Sequence, residues 1–124
     1  MTITADEVQA WLDAYVAAWQ SYDPAQIGAL FAEDATQAYH PWDTGDAVPR
    51  GRDAIVASWL SEQDAPGSWQ AEYHPLMIDG DRAVTTGITR YASGKVYHNL
   101  FVLSFDDRGR CTDFVEWFML RPAG

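Results

Sequence analysis

The first part of the chain carries its apolar residues at helical spacing. In TADEVQAWLDAYVAAWQSYD, the residues Val8, Trp11, Leu12, Tyr15, Trp19 and Tyr22 fall on one side of a helix and form a broad aromatic stripe. Thr4, with Glu7 three residues on, supplies a capping box at its start. DPAQIGALFAED predicts a second, short helix. Asp23 is its N-cap and Pro24 takes the first helical position, where the missing N–H costs nothing. ATQAYH reads as a strand stopped by Pro41, and PWDTGDAVPRG as a turn-rich loop. Gly51 or Asp53 then opens a third helix, RDAIVASWLSEQ, with Ile55, Val56, Trp59 and Leu60 on its apolar face; DAPGS closes it.

The pattern changes at Trp69. WQAEYHPLMID, RAVTTGITRYA, KVYHNLFVLSF and RCTDFVEWFML are strand-like runs joined by DGD, SG and DDRG, each a tight turn suited to a hairpin. They predict an antiparallel meander. Helix, helix, strand, helix and then four strands is an α+β order, with helices packed on one face of a sheet. A long twisted sheet wrapped around three helices leaves a conical hollow whose wide end is hard to fill, so a pocket is natural there. No repeat, linker or low-complexity segment divides the 124 residues, which predict a single domain over 1–124.

Composition narrows the partners. The formal net charge is −10, with Lys95 the only lysine, so phosphate backbones and anionic membrane surfaces are repelled; neither nucleic acid nor a membrane is an expected partner. No apolar run is long enough to span a bilayer, and the N-terminal residues lack the basic-then-apolar order of a signal peptide. The expected compartment is the cytoplasm. Six Trp and six Tyr make the aromatic content unusual; some of these rings are core, and such numbers also suit a cavity wall or a subunit interface. Dinucleotide and P-loop glycine motifs, C-x-x-C and a nucleophile elbow are all absent. Cys111 stands beside a turn with no obvious pairing base.

Several segments resemble the nuclear transport factor 2-like superfamily, and its SnoaL-like members in particular. They are YVAAWQSYDPAQIGALFAEDAT, VPRGRDAIVASWL and HNLFVLSFDDRGRCTDFVEWFM, which together cover nearly the whole chain. The resemblance implies a conical, cystatin-like fold of three helices on a strongly curved, mostly antiparallel sheet. It also implies a homodimer through the open sheet face, where Trp117 and Met119 could pack. The superfamily includes ketosteroid isomerases, limonene epoxide hydrolases, scytalone dehydratases and polyketide cyclases, so fold alone does not give function. In the isomerases a tyrosine of the first helix donates to the developing oxyanion, and Tyr15 takes that position. Their carboxylate base precedes a proline; here His40 does. Their protonated carboxyl falls near Phe101, and an apolar ring cannot donate. Against the epoxide hydrolases, Glu116 falls where one carboxylate would be, Asn99 near the other and Tyr97 near the bridging arginine, which breaks that triad.

Strand alternation places Phe114, Glu116, Phe118 and Leu120 on one face. Either that row faces the hollow, where burial would raise the Glu116 pKa toward neutrality, or Asp113, Val115, Trp117 and Met119 turn inward and Glu116 is solvated. His40 is either a general base at the mouth of the cone, with Tyr39 and Trp42 as walls, or a hydrogen-bonded loop residue. The histidines follow tyrosines at 39–40, 73–74 and 97–98, on three separate segments without ligand spacing, which does not support a metal site. Of two strand neighbours only one can line a given cavity, so Tyr97 is expected inside with Asn99 and Phe101, and His98 outside. Asn99 is expected to bond Glu116 on the adjacent strand. Trp19 and Trp59 are either core or pocket wall. Together these residues predict a small apolar, cyclic ligand and cofactor-free acid–base chemistry by Glu116, His40 and Tyr15. The alternatives are a non-catalytic binding protein and a dimeric interaction module.

Overall fold

A computed structural model of the chain describes residues 2–123. Helix α1 spans Ala5–Ser21. Thr4 Oγ1 accepts from the Glu7 N–H and Glu7 Oε1 from the Thr4 N–H, both at 3.1 Å, so the expected capping box forms. The helix buries Val8, Trp11, Leu12, Tyr15 and Ala18. It stops at Tyr22, whose φ of 49° is left-handed and uncommon for a residue with a side chain. The Tyr22 hydroxyl explains why the conformation holds: it accepts from the Trp19 indole at 3.1 Å and from the Asp64 N–H at 2.8 Å.

Helix α2, Pro24–Ala29, starts as expected, with Asp23 Oδ1 accepting from the Ala25 N–H at 2.8 Å. It ends earlier than expected. Strand β1 runs Phe31–Ala38, rather than over ATQAYH, so LFAED is not a helical tail. Phe31 and Ala32 are buried, and β1 pairs in parallel with the last strand, Phe31 opposite Cys111. Tertiary burial and a ladder of long-range hydrogen bonds override the local helical preference. Tyr39 and His40 lie beyond the strand, in a bend.

Helix α3, Arg52–Ser61, begins after Gly51, whose φ of 90° suits only glycine. Strands β2 (Trp69–Asp79), β3 (Arg82–Tyr91), β4 (Val96–Phe105) and β5 (Cys111–Leu120) match the four expected runs to within a residue at each end. The sheet order is β1-β5-β4-β3-β2, antiparallel except at β1. Three helices thus pack on one curved, mostly antiparallel sheet, the cystatin-like arrangement. An aromatic cluster fills its narrow end: Tyr15 stacks on Phe114 at 5.7 Å, and Trp11 meets Phe31 and Phe105 edge-on.

One close approach shapes the sheet. Gly87 on β3 lies between Tyr73 on β2 and Asn99 on β4. A Cβ there would fall 2.0 Å from the Glu72 carbonyl oxygen and 2.6 Å from Tyr73 Cδ1, so only glycine lets β2 lie this close over β3. Among the described residues no helix is long and apolar enough to cross a membrane.

Candidate functional site

The wide end of the cone is a cavity of about 1140 Å³ between α1, α3, the segment after β1 and the concave face of the sheet. Alternation along β5 sends Phe114, Glu116 and Phe118 to this concave side, with Phe114 beneath the cavity and the other two lining it. The pocket-facing arrangement of the Glu116 row is therefore the one the chain adopts.

Glu116 is held by a directed chain of donors. Asn99 Nδ2 donates to Glu116 Oε2 at 2.9 Å, as expected, and Asn99 Oδ1 accepts from Thr89 Oγ1 at 2.9 Å. That bond uses the only Thr89 hydroxyl proton. The Tyr73 hydroxyl, 2.5 Å from Thr89 Oγ1, must therefore be the donor to it. Tyr73, Thr89 and Asn99 are all buried, and every link points its proton toward Glu116. Burial pushes the Glu116 carboxyl up to about 7, while the Asn99 donor and nearby His40 pull it down without cancelling the rise.

His40 faces Glu116 from the bend after β1. Its Nδ1 lies 3.0 Å from Asp43 Oδ2, its ring stacks on Trp42 at 4.8 Å, and Phe118 sits 5.3 Å away. A carboxylate on Nδ1 fixes the tautomer that leaves the Nε2 lone pair free in the neutral ring. Tyr39 also lines the cavity, bonded to Ser58 Oγ at 3.2 Å and to Gln37 Oε1 at 3.3 Å. The one-in, one-out rule for this pair fails because β1 ends at Ala38 and both residues lie in the bend. It holds for the last pair: Tyr97 lines the cavity, and His98 points outward, accepting from Arg121 Nε at 3.1 Å.

Tyr15 lines the floor of the cavity. Its pKa is raised well above that of a free phenol, by burial first and by Glu116 next, so it stays protonated and able to donate. Trp19 and Trp59 are walls, and the Trp59 indole donates to Gln37 Oε1 at 2.8 Å. Three expected contacts are corrected. Phe101 and Phe114 are 1% and 0% exposed and form the core under Tyr15 rather than the cavity surface. Trp42 is 74% exposed and backs His40 from outside instead of walling the cavity. Cys111 is buried, its thiol pushed far up by burial, and is no nucleophile. No group of three or more metal-ligating side chains gathers among the described residues.

The residues 12–117 match the sequence profile of the SnoaL-like domain. The chain belongs to the SnoaL-like domain family. No curated protein sequence matches it. Solved structures share the fold of this SnoaL-like domain. A proposed ketosteroid isomerase from Kribbella flavida DSM 17836 is 19% identical, with a TM-score of 0.68 over 97% of this chain and 85% of that one. An LEH-like epoxide hydrolase of M. tuberculosis is 19% identical, TM-score 0.66, over 93% and 84%. A protein of unknown function with a cystatin-like fold from Methylobium petroleophilum PM1 is 19% identical, TM-score 0.72, over 99% and 82%. At such identities the likeness establishes the fold; the chemistry rests on the residues of this SnoaL-like domain itself.

Asp43, Tyr73 and Thr89 escape sequence reading. Asp43 reaches His40 only because the turn after Pro41 folds back, with the Asp43 N–H donating to the His40 carbonyl at 3.1 Å. Tyr73 and Thr89 meet Asn99 through strand register, which no local pattern reveals. Their polar side chains on the concave side of long strands were the available signal.

Proposed function

We propose that this SnoaL-like domain binds a small, largely apolar, cyclic molecule in its conical cavity and moves a proton on it without a cofactor. The observation that carries the reading is Glu116: a partly buried carboxyl, poised near neutrality, accepting from Asn99 at the end of a Tyr73–Thr89–Asn99 donor chain and facing an imidazole with its own carboxylate partner. His40, oriented by Asp43, accepts a proton or activates water. Glu116 gives or takes the second proton, and Tyr15 donates to the oxygen on which negative charge develops. Two titratable groups with different surroundings serve as acid and base in one site. Isomerisation, dehydration, cyclisation and epoxide opening all use such an apparatus. Pairing with a second copy through the outer sheet face belongs to the same proposal; there Trp117 is 42% and Met119 71% exposed.

A thermal-shift screen of steroid enones, aromatic polyketides and terpene epoxides identifies the scaffold. A ligand at about 100 times its Kd adds roughly 2.7 kcal/mol, a rise of several degrees. Turnover of a hit should depend on pH through the Glu116 ionisation near 7 and fall by about 100-fold or more in Glu116→Gln and in His40→Ala. Unchanged turnover in both variants would contradict the reading.

A further inference from the structure

We propose that the ligand of this cavity carries a protonated or quaternary amine on its apolar body. The inference rests on reading the cavity as the ligand site and adds the ligand's charge.

Four carboxylates line the cavity, Asp46, Glu62, Asp64 and Glu116, against one ammonium, Lys95, and one imidazole, His40. Among the described residues no arginine lines it. Asp46, Glu62 and Lys95 are exposed at the mouth, where water and salt screen them. Asp64 and Glu116 are partly buried, so they dominate the field a bound molecule meets. An anionic ligand would face both, with the His40 imidazole, itself held by Asp43, as the one basic group at their depth. A neutral ligand would leave that field unused.

Aromatic rings surround these two carboxylates. Tyr91 meets Tyr97 edge-on at 5.7 Å, Tyr97 meets Phe118 at 5.6 Å, and Phe118 leads to His40 at 5.3 Å. Across from this wall, the Trp19 indole donates to the Tyr22 hydroxyl and to Asp64 Oδ2, both at 3.1 Å, and Trp19 is braced by stacking on Trp69. Burial, with Asp64, Tyr97 and Glu116 behind it, pushes the Tyr91 phenol up to about 12, so it stays neutral and its ring remains a quadrupole acceptor. Tyr15, only 8% exposed, lines the same space, and among the described residues its hydroxyl has no hydrogen-bond partner. Aromatic faces beside partly buried carboxylates attract an ammonium group by ring quadrupole and charge together.

The site also gives the binding a pH dependence. Glu116 is faced by Asn99 on β4, His40 on the bend after β1, Tyr15 on α1, Tyr39, and Tyr73 and Tyr91 on β2 and β3. A bound cation favours the Glu116 carboxylate and so releases its proton. Protonating Glu116 removes its charge, so affinity for a permanently charged ligand rises with pH through about 7.

The test uses phenyltrimethylammonium, its neutral isostere tert-butylbenzene, and benzoate, titrated against the protein by calorimetry and tryptophan fluorescence. The cation should bind about tenfold tighter than the isostere, and benzoate should not bind. The cation's affinity should climb several-fold from about pH 6 to about pH 8 while the isostere's stays level. Asp64→Asn should cut the cation's advantage to about twofold or less, with the isostere unchanged; Asp107→Asn, on an exposed turn, should change neither. If Asp64→Asn fails to fold, the wild-type ratio of cation to isostere decides. Equal affinity for the isostere, a preference for benzoate, or no cation binding at millimolar concentration would overturn the inference. The Glu116 titration tests the acid–base chemistry independently. A midpoint near neutrality with no cation preference removes the amine alone. An ordinary carboxylate midpoint with a clear cation preference removes the acid–base chemistry alone.

Discussion

Asn99 donates to Glu116 and takes its own orientation from Thr89, which in turn is held by Tyr73. Removing the middle link frees the Asn99 amide to rotate, so the carboxylate loses its best-aligned donor. Thr89→Val, nearly isosteric, should therefore raise the Glu116 pKa by roughly half a unit to one unit. Thr89→Ser should leave it in place, and carboxyl-carbon NMR reads both. The raised pKa also enters folding. The folded value, about 7, lies above the unfolded value near 4.5. The neutral acid thus favours the folded state fully below the unfolded value, and that advantage is lost as pH rises through about 7. Glu116→Gln should remove this slope. At about pH 8 it should be the more stable protein by roughly 1–3 kcal/mol in urea denaturation. A stability difference that does not vary with pH would contradict this.

At the scale of elements, Gly87 is where the sheet is least tolerant. A methyl group there meets backbone at 2.0 Å, which cannot rotate away. Gly87→Ala should push β2 off β3, displace Tyr73 and cost about 2–4 kcal/mol. Hydrogen exchange should show the loss concentrated in β2 and β3. The elements themselves were largely legible. The α1 stripe and capping box, and the four runs separated by turn residues, carry their signals locally. β1 was misplaced because Phe31 and Ala32 join it through contacts with β5, eighty positions further on, as Phe31 opposite Cys111 shows. The same distance hid the parallel pairing.

For the whole molecule, the cone that the helices and sheet enclose accounts for most of the surplus aromatic residues. Its inner rings are split between a packed floor and an open cavity, and sequence alone could not divide them: Phe101 and Phe114 fell to the floor, Tyr97 and Phe118 to the cavity. Glu116, Asn99 and His40 were legible because each is a polar group in an apolar setting. Asp43 and Thr89 were not, since their roles depend on a folded-back turn and on register. The outer face of the sheet retains Trp117 and Met119, with Leu76 and Met77 also exposed. Light scattering should return twice the chain mass, and Trp117→Glu should return the single chain with the cavity ligand still bound. A wild-type monomer at working concentration would rule out that pairing.

The central claim is that burial and the donor chain hold Glu116 between its two charge states in the working range of the protein. Its carboxyl carbon, labelled and followed by NMR from about pH 3 to about pH 9, tests this directly. The account predicts a midpoint near 7. A midpoint in the ordinary carboxylate range, about 4.3, would contradict it. It would remove the carboxyl acid near neutrality that the proposed chemistry requires.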